Sequence, residues 1–269
     1  FQKFHLDEDS WRILASMGWG DIQYQFNPAG IDPGFPDVFL DYSQAMNFGF
    51  LQGSRRTYKK LYLGLAAMTW SAKVGIEPDL VELPDERYTG PGITVEWDGR
   101  NHTMYPTSGF QAEGRFLVFD DAFGSDQNFN RFKWSIAEYT EVGDTNRVLA
   151  GRILHQGAFG DVVPFSAQSV VNGNQNLRGY ANGKYRADQL VVIEAEYRWM
   201  FHRKWGIAGF GGLAWSADKV NYMALNDTLP GIGLGIRWRI IEAYKINARV
   251  DYGWGKDDRA LYISIGEHF

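Results

Sequence analysis

The sequence predicts an all-β chain folded as one transmembrane antiparallel β-barrel of about twelve strands. Three observations carry this. Apolar and polar residues alternate with period two in segment after segment, which gives a strand one apolar and one polar face. The polar faces hold Arg, Glu and Asp while Trp and Tyr crowd the apolar ones, the inside-out order of a barrel in lipid. Short and long connections alternate, as turns at one rim and loops at the other do.

Composition agrees with this reading. The 269 residues are 16% aromatic with ten Trp, suited to two interfacial girdles. No apolar run is long enough for a membrane helix, and mean hydropathy is mildly negative, but barrels escape that test because only alternate residues face lipid. The absence of Cys removes disulfides, thiolate metal sites and Cys nucleophiles. A net charge of −5 without a basic tract argues against nucleic acid as a partner. No linker divides the chain, so 1–269 is expected to be a single domain. The chain begins without a signal peptide, as a mature or trimmed exported protein would.

From the N-terminus, residues 1–18 are expected to form a short helix or an extension. Asp7–Ser10 could cap a helix, and the outward parity changes near Gly18 and Gly20. Strands are then expected at about 19–27, 43–53, 59–76, 92–100, 108–120, 128–141, 146–157, 188–201, 204–217, 229–241, 245–256 and 259–269. Ile193, Ala195, Tyr197 and Trp199 alternate with Glu194, Glu196 and Arg198. Ile232, Leu234, Ile236, Trp238 and Ile240 alternate with Gly233, Gly235, Arg237 and Arg239. Ile246, Ala248, Val250, Tyr252 and Trp254 alternate with Asn247, Arg249, Asp251 and Gly253. In the last strand Leu261, Ile263 and Ile265 alternate with Tyr262, Ser264 and Gly266, and Phe269 is the terminal aromatic. Short connections fall near 54–58, 101–107, 142–145, 202–203 and 242–244; the longest spans 158–187. Both termini are thereby expected on the short-turn, periplasmic side.

Catalysis is not expected. Of five histidines, four fall at termini or short turns, and His155 has no adjacent Ser or G-x-S-x-G. No cluster has metal-ligand spacing and no cofactor is expected. The G-I-G-L-G of Gly231–Gly235 lies within a strand, where glycine relieves crowding or allows curvature rather than cradling phosphate.

Four features together carry a resemblance. Asn176–Tyr180 reads N-L-R-G-Y inside the longest loop, and an inward E-x-R, Glu196 and Arg198, follows on the next strand. Asp98, Arg100, Pro106 and Gly109 approximate a D-x-R…P-x-x-G strand–turn element. The chain closes with I-S-I-G-E-H-F. This resembles the barrel of the bacterial surface-antigen superfamily to which BamA and TamA belong, most strongly over about 92–269. The resemblance implies a loop, 158–187, folded back into the lumen with Arg178, Gly179 and Tyr180 at its tip. It also implies five strands after that loop, and a short member without periplasmic POTRA domains. Glu196 is the expected acidic partner of Arg178, with Glu194 as a second, because an unpaired buried charge is costly. Gly212 stands where the family usually places an Asp; Arg249 and Asp251, inward on the eleventh strand, are the candidates to compensate.

By the same resemblance the chain would reside in the bacterial outer membrane and assist insertion or translocation of protein or lipid through a seam between first and last strands. Expected partners are outer-membrane lipid, client outer-membrane proteins and a second copy joined through free strand edges. A passive pore or small transport channel is the alternative, as is a structural or assembly barrel. A twelve-strand barrel with an inserted loop leaves little open lumen, which ranks passive conduction lower.

Overall fold

The computed structural model describes residues 2–26, 40–76, 81–82, 85–143, 146–224 and 227–269. Their strands are β1 (Gln2–Leu6), β2 (Trp11–Phe26), β3 (Leu40–Tyr58), β4 (Leu61–Ile76), β5 (Val81–Glu82), β6 (Glu86–Asp98), β7 (Gly109–Phe119) and β8 (Phe129–Glu141). They continue as β9 (Arg147–Gly160), β10 (Ser169–Val170), β11 (Arg186–Ala187), β12 (Gln189–Trp199), β13 (Trp205–Ala217), β14 (Leu229–Ile241), β15 (Ile246–Gly255) and β16 (Asp258–Ile265). Fourteen strands join one antiparallel sheet in chain order from β1 to β16, with β5 attached to β4 and the β10–β11 pair set apart. Among the described residues no ladder joins β16 to β1. Nor is any helix among them long and apolar enough to cross a membrane.

The twelve long strands of the sheet answer to the twelve expected, and β14 coincides with its expected bounds. The alternation is plainest there. Ile232, Leu234, Ile236 and Trp238 are exposed on the outer face, while Gly231, Gly233, Gly235 and Arg237 are buried on the inner one. Outward Trp205 and Trp238 face each other across the β13–β14 ladder with rings stacked at 6.1 Å. Trp11 and Trp199 are exposed near the same rim, a position where aromatic rings meet both lipid and water.

The N-terminal helix is a correction. Gln2–Leu6 and Trp11–Phe26 are strands paired as a hairpin, and β2 begins eight residues before the expected residue 19. Asp7–Ser10 is its turn rather than a helix cap: Asp7, Glu8 and Asp9 have positive φ, and the Ser10 amide donates to the Asp7 carbonyl. Hydrogen bonds from Arg12 at 2.8 and 2.6 Å, Tyr62 at 2.6 Å and His5 at 2.6 Å hold the Asp9 carboxyl well below the usual carboxylate range. Gly18 does not break the strand. A Cβ there would lie 2.5 Å from the ring of Phe48, so the glycine accommodates a cross-strand aromatic.

The end of the chain is a second correction. Strand β16 stops at Ile265, not at Phe269. Gly266 has φ +86° and its amide bonds to the Asn247 carbonyl, which turns the last three residues inward. Leu261, Ile263 and Ile265 stay on the outer face at 59%, 74% and 62% exposure, whereas Phe269 packs against Ala137, Tyr139 and Ala150 inside.

Because the outer face meets lipid, Ile263→Arg is expected to cost up to about 2–4 kcal/mol of folding stability, depending on depth, while Ile263→Leu costs little. Denaturant-dependent folding into phospholipid vesicles, compared for the two variants, measures it.

Candidate functional site

The loop between β9 and β12, residues 161–188, is stiffened by the β10–β11 pair and by Asn176. The Asn176 carboxamide accepts from the Asn172 and Leu177 amides and donates to the Val170 carbonyl. The next residues enter a seat of glycines on the inner faces of β13, β14 and β15. A Cβ at Gly212 would lie 2.9 Å from Leu177 Cδ1, at Gly231 2.4 Å from the Arg178 carbonyl oxygen, and at Gly253 2.8 Å from the Gly179 amide. Only bare backbone allows the loop to approach so closely. Gly179 itself has φ +111° and its own Cβ would meet the Trp254 backbone at 2.7 Å.

Two tyrosines fasten the tip. The Tyr262 hydroxyl accepts from the amides of Gly179 and Tyr180 at 2.9 and 3.1 Å and donates to the Tyr180 carbonyl at 2.9 Å. The Tyr180 hydroxyl donates to the Pro230 carbonyl at 2.7 Å and accepts from the Lys256 amide.

Arg178 is fully buried at the centre of an ion network. Its Nη1 lies 2.5 Å from Glu196 Oε2 and 2.8 Å from Asp251 Oδ2, and its guanidinium carbon is 3.5 Å from the centre of the Phe210 ring. Glu196 also receives Arg198 Nε at 2.5 Å and Arg237 Nη2 at 3.3 Å. Asp251 receives Arg237 Nη1 at 2.5 Å and Arg249 Nη1 at 2.7 Å. Glu267, brought in by the Gly266 turn, takes Arg237 Nε at 2.7 Å. Three carboxylates thus serve four guanidiniums. In a dry interior this converts several costly isolated charges into shared, multiply hydrogen-bonded pairs. Gly235 makes room for it, since a Cβ there would fall 1.9 Å from Asp251 Oδ1.

The structure brings Arg178, Gly179 and Tyr180 together with Glu196, Asp251 and Arg249. Glu194 stands apart: it bonds Arg152 and lies 3.5 Å from His268. In the strand–turn element Arg100 bonds Asp98 at 2.9 Å, and Gly109 has φ +93°. Sequence reasoning missed Arg237, Glu267, Tyr262 and Phe210. Inward parity of Arg237 and Tyr262 was the available signal; for Glu267 the glycine turn erased it. Among the described residues no cluster of three His, Asp or Glu could hold a metal.

Glu196→Gln leaves the Arg178 charge undercompensated and is expected to destabilise the fold by about 3–5 kcal/mol. Gly231→Val is expected to keep the barrel but unseat the loop, read as faster proteolysis within 161–188 at unchanged strand content by circular dichroism.

Solved structures resemble this architecture. BamA from Haemophilus ducreyi lacking POTRA domains 1–3 matches with a TM-score of 0.64 at 13% identity, over 98% of this chain and 60% of that one. CdiB from Escherichia coli gives 0.63 at 13% identity, over 96% and 50%, and CdiB from Acinetobacter baumannii 0.60 at 13%, over 96% and 47%. The chain therefore spans about half to three-fifths of the length of these structures. No curated protein matches it in sequence. Residues 85–269, which contain the loop, its glycine seat and the whole ion network, match the Omp85 superfamily domain, and the chain belongs to that superfamily of outer-membrane β-barrels.

Proposed function

We propose that this barrel assists insertion or translocation of protein or lipid in the bacterial outer membrane, with the loop at Arg178 as its lumen clamp. The observation that carries this is the closed ion network. A loop seated on glycines and fixed by two carboxylates narrows the lumen, which favours this reading over free passive flow. Catalysis plays no part in this reading. Superfamily membership supports the general activity, and the edges of β1 and β16, unjoined among the described residues, are consistent with a lateral seam.

Orientation follows from the connections. The two-residue connection 59–60 and the ends of β8, β12 and β14 lie at one rim, which we assign to the periplasm. The C-terminal residues lie at that rim. Gln2 does not: it pairs with Ala15, part-way up the wall, because β1 folds back on β2. That hairpin covers only the lower part of β2, leaving Ser16–Phe26 without a partner on that side among the described residues. Lipid cannot satisfy such an edge, which favours its use by a client strand or a second copy.

Single-channel recording of the purified barrel tests the clamp. Wild type is expected to be closed and Arg178→Ala to open it; steady large conductance in wild type would establish a pore instead. For the second copy, Phe4→Cys combined with Ile263→Cys in this cysteine-free chain is the test. A disulfide between chains marks a dimer through the seam, and one within a chain marks a closed barrel.

A further inference from the structure

The lumen is electrically divided. On the side of β12–β15 Arg178, Arg198, Arg237 and Arg249 each meet a carboxylate. On the side of β7 and β8 the inner face carries Arg115, Arg131 and Lys133, with the carboxylate of Glu113 one rung from Arg115 and Lys133, and none of the three cations has an ion-pair partner among the described residues. Burial of Leu117, Phe119, Ala137 and Tyr139 fixes odd-numbered residues inward on both strands. Arg115 and Lys133 are therefore direct cross-strand neighbours, with Arg131 on the next inward rung. Like charges placed opposite each other destabilise a sheet. Inward positions so close leave the three cations within roughly 7–8 Å of one another at the backbone. Their contacts are neutral: Arg115 donates to Gln52 at 3.3 Å and lies 4.2 Å from the Phe50 ring centre, and Arg131 is 5.5 Å from that of Trp70.

The column opens into space. Arg131 lines a cavity of about 360 Å³ between the loop and the walls of β3 and β4, shared with Gln44, Gln168, Asn172 and Arg186. No carboxylate lines it among the described residues. Arg186, from β11, donates there to the Phe165 carbonyl and the Tyr42 hydroxyl. Arg115 and Lys133 line a smaller pocket with Glu113, whose carboxylate accepts from Ser135, and with Glu96, whose charge is taken up by Lys3 and Arg12. The surroundings supply amide donors and guanidinium forks, the groups that bind oxyanions.

We propose that Arg131, Lys133 and Arg115 form an anion-binding site inside the lumen, for a phosphate-bearing ligand whose anionic group enters the loop-side cavity. A group with two or more negative charges relieves more of the repulsion than a single carboxylate does. Two sources share this chemistry, a free phosphate compound and a lipid headgroup.

Thermal unfolding of the full barrel in maltoside detergent tests the site, with inorganic pyrophosphate and dihexanoyl phosphatidic acid as probes and sodium chloride at matched ionic strength as the reference. Binding to the folded state raises the midpoint. Pyrophosphate is expected to raise it beyond the chloride effect. Arg131→Gln with Lys133→Gln is expected to start from a higher midpoint, because repulsion is removed, and to bind at least about tenfold more weakly. Arg131→Gln alone serves if the double variant does not refold, and Arg203→Gln, at an exposed rim pair with Glu242, is the control that keeps wild-type affinity. A response to phosphatidic acid alone identifies a headgroup as the source; a response to both identifies the anion itself as what is read. A midpoint matched by chloride for both probes, or equal affinity in wild type and variant, overturns the proposal.

Discussion

A buried guanidinium without a carboxylate is among the most costly arrangements a protein can hold, and the placement of Arg178 imposes that requirement on half of this barrel. Meeting it takes Glu196 from β12 and Asp251 from β15. Those acids in turn gather Arg198, Arg237 and Arg249, and Arg237 draws Glu267 inward from beyond β16. The glycines of β13–β15 follow from the same demand, since a side chain at 212, 231 or 253 would hold the loop away from its partners.

The absence of an acid at Gly212 is explained by this geometry. A Cβ there would lie 2.7 Å from the Ile193 carbonyl oxygen and 2.8 Å from Glu194 Cγ on β12, as well as 2.9 Å from Leu177 Cδ1 of the loop. The second carboxylate comes from Asp251, two ladders away, and Gly235 clears the space across which it leans. One residue therefore lacks a side chain so that the loop can seat, while another supplies the charge.

Much of the wall was legible in the sequence because period-two alternation survives wherever one face meets lipid and the other does not. Strand β14 shows this to the residue. Reading failed where local chemistry departs from that rule. Asp7–Ser10 has the composition of a helix cap, and only the pairing of Gln2–Leu6 with β2 decides for a turn. Gly18 resembles a break in sequence but is a gap left for Phe48. Gly266 ends the alternation and turns Glu267, His268 and Phe269 all inward, so Glu267 could not be placed from alternation. Of the site, Arg178, Glu196 and Asp251 could be nominated from motif and parity; which acid each arginine meets depends on distances across strands far apart in sequence.

Tyr262 belongs to the last strand, yet its hydroxyl holds three backbone groups of the loop tip. Those groups lie more than eighty residues earlier in the chain. Among the described residues strand β16 pairs in the sheet with β15 alone, and its Asp258 also accepts from the Ala181 amide, so any swing of β16 away from the wall must either break these bonds or carry the loop tip with it. The edge strand and the loop tip are thus mechanically coupled, through the Tyr262 hydroxyl and the Asp258 carboxylate.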